Sequence, residues 1–360
     1  MREKTLLILL IVMLLAAACS SQTIAPPVSG ETENKSESTE PEIPQEDPEK
    51  QEAEDNSRKV ISPLDGLKYY PEELSKRPVA VSIDNHPSAR WQAGLSQAEI
   101  VYEFEVEHPY TRYLCIFLAK EPEMVGPVRS ARPYIIYYAL ENDGIFVHVG
   151  GSQDAFNEIA ALAVPDIDGL YSGAMQRYYD TGKVAPHNMY TTLKAIRSEA
   201  ESRGYRTEGS FEGYKFNEET KKLSDVFQSF TYAKKISITY NRDNSTDYEY
   251  DSSSGTYKRF KDGEMHIDEL DDKQLCAKNI IVIETSKSVL DNAGRLYLGN
   301  VGEGKGFYMT EGQSTQITWK KASKTSRTRF YANGNEILLN PGNTWIQVVS
   351  NINSVSVSAE

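Results

Sequence analysis

Apolar positions fall into two textures along this chain. Between residues 77 and 204, near-continuous apolar runs alternate with segments of helical spacing. RPVAVSIDN (77–85), AEIVYEFEVE (98–107) and RYLCIFLAK (112–120) read as strands, the last two forming a hairpin around HPYT, and GIFVHVGG (144–151) reads as a further strand. Helices are predicted over 133–142, from Ser152 as N-cap through QDAFNEIAALA, and across YTTLKAIRSEAESRG with Gly204 as terminator. The 133–142 segment is apolar on most faces, so it should be buried with its start at an interior edge of the sheet. Beyond about residue 230 the pattern shortens to strands such as KKISITYN, NIIVIETS and NTWIQVVS, with turn signals at Ser254-Gly255, Asp262-Gly263 and Asn333-Gly334. The expected fold is an α/β (or α+β) domain over 63–228 followed by an all-β domain over 229–360. The tyrosine-rich strands of the second half read as ordinary sheet faces, with carbohydrate or protein contact as the alternative.

The first residues differ from all of this. MREKTLLILLIVMLLAAACS has a charged start, an apolar run too short for a comfortable membrane span, and small residues ending at Cys19. That is the layout of a bacterial secretion signal over 1–18, and AAAC is similar to a lipobox, which would make Cys19 a lipidated first residue. Ala16 departs from the usual leucine, and the alternative is an ordinary signal peptide releasing a soluble product. Residues 19–62 are rich in Pro, Glu and Ser; from 20 to 62 there are eleven acidic and four basic side chains. Such a segment reads as a disordered tether with a typical reach of about 35 Å. The expected location is the outer face of the bacterial cytoplasmic membrane.

The whole chain carries a net charge of −13, which argues against a nucleic-acid partner. Its chemistry centres instead on GPVRSARPY (126–134). Pro133 favours the first helical position and pushes the residue before it out of the α region, so Arg132 is the predicted N-cap with Arg129 just outside. Two cations at the positive end of a helix are unfavourable unless something negative lies between them. Either acidic side chains or a ligand fill that place. Glu103, Glu105 and Glu107 alternate on one strand face; they read as a solvated outer face, or else one of them meets Arg112, Arg129 or Arg132. Asp84, Asn85 and His86 follow a strand end, where α/β sheets place ligands, and His187 and Asn188 precede a helix with Arg177 upstream. Each is a turn residue or a donor to an anion.

Other chemistries lack their patterns. The five histidines show no metal-ligand spacing, VGGS lacks a nucleophile elbow, and GEGKG (302–306) falls short of a phosphate-binding loop. Cys115 reads as an inert core thiol, and its pairing with Cys276 is left open by spacing.

RPVAVSIDN, GLSQAEIVYE, TRYLCIFLA, GPVRSARPY, FVHVGGS, APHNMYT and GNTWIQVV together resemble the YerB-like lipoproteins, in the same order over about residues 60–352. The resemblance implies a two-domain envelope lipoprotein of unknown function, with Arg112, Arg129, Arg132, His187 and Asn188 inside its motifs. A strand, hairpin and arginine loop followed by a helix and a VGG turn is also similar to the LytR-CpsA-Psr phosphotransferases, whose arginines hold a lipid-linked pyrophosphate. VRSAR lacks their Arg-Asp pair, and Asp84 is the nearest candidate for metal or base duty. The expectation is therefore an anion site of Asp84, Arg112, Arg129, Arg132, His187 and Asn188 for a lipid-linked or wall phosphate, without a cofactor. Alternatives are a phosphotransferase holding Mg²⁺ at Asp84 or a strand Glu, and a non-catalytic lipoprotein that contacts wall enzymes.

Overall fold

The computed structural model describes residues 57–360; the signal segment, Cys19 and the tether up to residue 56 lie outside the described residues. Numbering only strands of three or more residues and helices of eight or more, the first part runs β1 (Val79–Asp84), β2 (Ile100–Glu105), β3 (Thr111–Phe117), α1 (Pro133–Glu141), β4 (Ile145–His148), α2 (Gln153–Ala161), β5 (Asp166–Asp168), β6 (Met175–Arg177), β7 (Met189–Thr191) and α3 (Leu193–Ser202). After α3, the described residues contain strands and short 3₁₀ turns only: β8 (Lys235–Asn241), β9 (Asn244–Asp251), β10 (Thr256–Lys261), β11 (Asn279–Glu284), β12 (Ser286–Val289), β13 (Leu296–Gly299), β14 (Gly302–Thr310), β15 (Gln313–Lys321), β16 (Arg329–Ala332), β17 (Thr344–Val349) and β18 (Val355–Ser358). An α/β first half and a β second half are thus observed.

The expected strands and helices form where the apolar runs place them, and local chemistry sets their ends. Arg132 is the N-cap of α1 with extended backbone and Pro133 follows. Ser152 Oγ accepts from Ala155 N–H at 3.2 Å, and Thr192 Oγ1 from Ala195 N–H at 3.1 Å. Gly204 lies at φ +73 after α3, a left-handed conformation that glycine adopts without strain.

One twelve-stranded sheet runs through both halves, in the order β16-β15-β14-β11-β17-β2-β3-β1-β4-β5 with two-residue strands at one edge. β17 lies parallel to β2, with Trp345 opposite Val101 and Gln347 opposite Glu103. A six-stranded sheet built around β10-β9-β8-β18 covers one face. Period-two alternation sorts the core accordingly. Tyr102, Phe104 and Leu114 face α1 through Tyr134, Ile135 and Tyr138. Val101, Tyr113 and Cys115 face the second sheet through Ile238, Tyr248 and Tyr257. Each such side chain contributes about 1.5–3 kcal/mol by burial.

Because β1, β2, β4, β5, β11 and β17 all point the same way, their carboxyl ends share one edge of the sheet. The chain enters at the opposite edge. Val60 and Ile61 already pair with Tyr69 and Lys68, so order begins before Pro63, and Asp65 O accepts from Gly342 N–H at 2.7 Å just ahead of β17.

One expectation is corrected by this architecture. The glutamate face of β2 is not solvated, because the second sheet closes over it: Glu103 is fully buried and Glu105 is 6 % exposed. The tyrosines at 248, 257 and 308 are core residues. Cys115 and Cys276 are both free thiols, and burial pushes the Cys115 thiol far above its ordinary range.

Candidate anion-binding site

Asp84 ends β1 at the carboxyl edge, directly opposite Arg112 on β3. The arginine loop is laid alongside by backbone hydrogen bonds. Asp84 N–H donates to Pro127 O at 2.8 Å, Arg129 N–H to Ser82 O at 2.8 Å and Val128 N–H to Met189 O at 2.6 Å. This fixes Arg129 beside β1 and draws in the segment leading to β7, which carries His187. At its start Gly126 packs so closely that a Cβ would lie 2.6 Å from Tyr190 Cδ1 and 2.9 Å from Met189 O.

One carboxylate therefore faces three basic groups. His187 Nδ1 lies 2.8 Å from Asp84 Oδ2, and Arg129 Nε forms an ion pair with the same oxygen at 3.1 Å, out of line for a hydrogen bond. His86 N–H donates to Oδ1 at 3.0 Å. Burial pushes the Asp84 carboxyl up, but the hydrogen bond from His187 and the charges of Arg112 and Arg129 outweigh it and hold it below the ordinary carboxylate value. Arg112 is 5 % exposed; its Nη1 donates to Ser130 O at 2.8 Å, while its Nε is buried without a hydrogen-bond partner among the described residues. Burial, then the neighbouring Arg132 charge, lowers Arg112 to about 10.

The remaining predicted residues lie close by with other partners. Arg132 turns to Glu107, donating from Nε to Oε1 at 2.7 Å, so the acidic side chain that tolerates this cation at the start of α1 comes from the β2–β3 hairpin. Asn188 is buried and accepts from Arg177 Nη1 at 2.9 Å, holding the β6–β7 hairpin together below His187. The structure also adds His86, whose ring stacks on His187 at 4.3 Å between centroids and 17° between planes, with the Tyr110 ring tilted against it at 4.4 Å. Asp84-Asn85-His86 as a tripeptide after a strand was the available signal; the stacking partner came from 101 positions away and had none.

A buried polar network supports the site from the second sheet. Glu103 accepts from Arg259 Nη2 at 2.6 Å, Lys261 Nζ at 3.2 Å and Thr111 Oγ1 at 2.7 Å. Burial alone would raise the Glu103 carboxyl, but Lys261 and Arg259 bring it down to about 2. Asn85 Nδ2 donates to Thr111 Oγ1 at 2.6 Å, and Gln92 Nε2 to Asp84 O at 2.9 Å, so the network grips the backbone of the site strand. Among the described residues no group of three or more His, Cys, Asp or Glu side chains could hold a metal ion.

Residues 64–206 match the family described as Protein of unknown function (DUF3048) N-terminal domain, and residues 236–346 match its C-terminal domain. The chain is 34% identical over 308 residues to a Bacillus subtilis (strain 168) protein named "Putative lipoprotein YerB", covering 84% of this chain and 90% of the relative. The chain belongs to the YerB-like family. The crystal structure of the YerB protein from Bacillus subtilis superposes with a TM-score of 0.75 at 33% identity, covering 83% of this chain and 99% of that one. Asp84, His86, Arg112, Arg129, Arg132, His187 and Asn188 all fall within the segment matching the N-terminal family domain, while Arg259 and Lys261 fall within the C-terminal one.

Proposed function

We propose that this chain is an extracytoplasmic lipoprotein, held by a lipid on Cys19 at the outer face of the cytoplasmic membrane, that binds a phosphate-bearing envelope ligand at the carboxyl edge of its sheet. The anchoring rests on the likeness to a relative named a lipoprotein and on AAAC at 16–19. The observation that carries ligand binding is the charge imbalance around Asp84. Its single carboxylate faces Arg112, Arg129 and His187, and Arg112 keeps a buried Nε without a partner. A phosphate would receive donors from these groups and offset the excess charge. Arg132 adds its charge from the side while bound to Glu107, and Asn188 acts through the hairpin that carries His187. The loop after β5 exposes Leu170 and Tyr171, and Val184 is exposed just ahead of His187, which favours a phosphate joined to an apolar chain.

Thermal unfolding of the full chain with and without pyrophosphate tests the reading. A ligand bound only by the folded state raises the midpoint, and Arg112→Ala with Arg129→Ala should abolish the rise. No rise in the wild type would overturn it. A second reading, a lipoprotein that contacts wall enzymes, is favoured by the internal pairs Arg129–Asp84 and Arg132–Glu107, which already neutralise two arginines. That reading expects both arginine variants to melt lower and no anion to matter.

A further inference from the structure

We propose that the site does more than hold its ligand: it hydrolyses phosphate esters, with His187 Nε2 as general base and His86 Nε2–H as hydrogen-bond donor to the leaving oxygen. This rests on the phosphate-binding reading above and adds a reaction to it.

Two hydrogen bonds assign complementary roles to the stacked rings. Asp84 is a buried carboxylate and only accepts, so His187 Nδ1 carries the hydrogen in their 2.8 Å contact and Nε2 presents its lone pair. His86 Nδ1 accepts from Ser88 N–H at 3.0 Å, so the neutral His86 ring carries its proton on Nε2. One ring thus offers an acceptor and its neighbour, 4.3 Å away, a donor. A base held in one tautomer by a carboxylate, next to a neutral hydrogen-bond donor and two arginines, is a set of groups suited to hydrolysis of a phosphate ester. Asp84 is a positioning residue in this scheme. Its oxygens are engaged by His86 N–H, His187 and Arg129, so its chemistry is orientation.

In the step, the oxygen of a water attacks phosphorus and gives its proton to His187 Nε2. The new P–O bond forms as the bond from phosphorus to the ester oxygen breaks, and that oxygen leaves as an anion hydrogen-bonded by His86 Nε2–H. Arg112 and Arg129 stabilise the charge on the non-bridging oxygens. His187 then gives its proton to solvent and the departed oxygen takes one from solvent, so the sum is ester plus water to alcohol plus phosphate. The ligand-bearing loops and arginines supply binding, and the reaction needs no oxidant, reductant or second substrate beyond water.

The test is release of nitrophenolate from p-nitrophenyl phosphate and bis(p-nitrophenyl) phosphate by the full chain in EDTA. Turnover of either ester is expected, with His187→Ala lowering kcat on the order of 100-fold or more and added imidazole restoring part of it. Asp84→Asn should lower kcat and change the pH profile, since an amide no longer fixes the tautomer. His86→Ala should cost more on phenyl phosphate, whose more basic leaving oxygen depends more on a hydrogen bond, than on the nitrophenyl esters. Melting of each variant without ligand identifies any that fail to fold, and imidazole rescue reads a chemical role that a structural one would not show. A pyrophosphate-induced rise in midpoint with no turnover of either ester, or full turnover by a folded His187→Ala, overturns the hydrolytic role and leaves the binding reading standing. Neither a midpoint rise nor turnover overturns both.

Discussion

Arg259 Nη2 donates to Glu103 Oε2 at 2.6 Å across 156 positions of sequence, with both side chains fully buried. Glu103 belongs to β2 of the first half and Arg259 to β10 of the second, and Lys261 joins them from the same strand. Arg259 also lies over the Trp345 ring at 4.1 Å, so the ion pair is enclosed by aromatic surface from β17.

Glu103→Gln should therefore destabilise the chain strongly. Two buried cations lose their carboxylate, at a cost of about 3–5 kcal/mol. Urea denaturation should show the loss as one transition, with tryptophan fluorescence and far-ultraviolet circular dichroism coinciding, because both halves share the sheet. Replacing Glu103, Arg259 and Lys261 together by methionine should cost less than Glu103→Gln alone, since no charge is then left unpaired.

The same carboxylate sets an acid limb of stability. The Glu103 carboxyl is brought down to about 2 in the fold from its ordinary 4.5, so the unfolded chain binds more protons in that window. Stability from this group is fully present above about pH 4.5 and falls as pH drops through about 2. Equilibrium denaturation across pH 2–5 checks this, with a shallower slope expected for Glu103→Gln.

Glu99 has the opposite dependence. Burial is the largest cause that raises its carboxyl to about 7 from 4.5, offset in part by Lys120 and by the backbone N–H groups of Leu118 and Lys120. The folded chain then binds more protons between those values. Its contribution is fully present below about pH 4.5 and is lost as pH rises through about 7. Wild type should lose stability over that interval relative to Glu99→Gln, measured by the same denaturation series.

Much of this was legible in the sequence, and the reasons for the rest are physical. Apolar runs, Pro133 after Arg132, and Ser152 located the strands and helix starts, because those signals act within a few residues. Asp84 at a strand end and the arginines of GPVRSARPY were recognisable by type. Their partners were less so: a glutamate meeting one of the arginines stood only as an alternative, realised by Glu107 and Arg132, while Asp84 for Arg129 and His86 for His187 depend on how distant segments come together. The alternating glutamates were the clearest misreading. Alternation reports that residues share a face, and only the second sheet, which reaches that face from 150 residues later, makes the face an interior one.

The two arginines of GPVRSARPY should separate in function. Arg129 shares Asp84 with His187, whereas Arg132 is held by Glu107. Arg129→Ala should abolish most of the pyrophosphate-induced rise in melting midpoint. Arg132→Ala should reduce it modestly and cost about 0.2–1 kcal/mol of stability, the range of a partly exposed ion pair. Isothermal titration with pyrophosphate ranks the two directly.

Gly126→Ala tests how the arginine loop is seated. The added methyl meets Tyr190 and the Met189 carbonyl, and relieving it must shift the backbone that carries Arg129 three residues on. A loss of about 1–3 kcal/mol is expected, together with a weaker pyrophosphate response, both read from one thermal titration.

The opposite placement of chain entry and arginines gives the molecule a front and a back. Val60 and Ile61 lead into the edge where β2 and β17 begin, and Asp84 stands where β1 ends. A six-residue strand spans about 20 Å. The point where the described chain begins therefore leaves the histidines and arginines of the carboxyl edge clear.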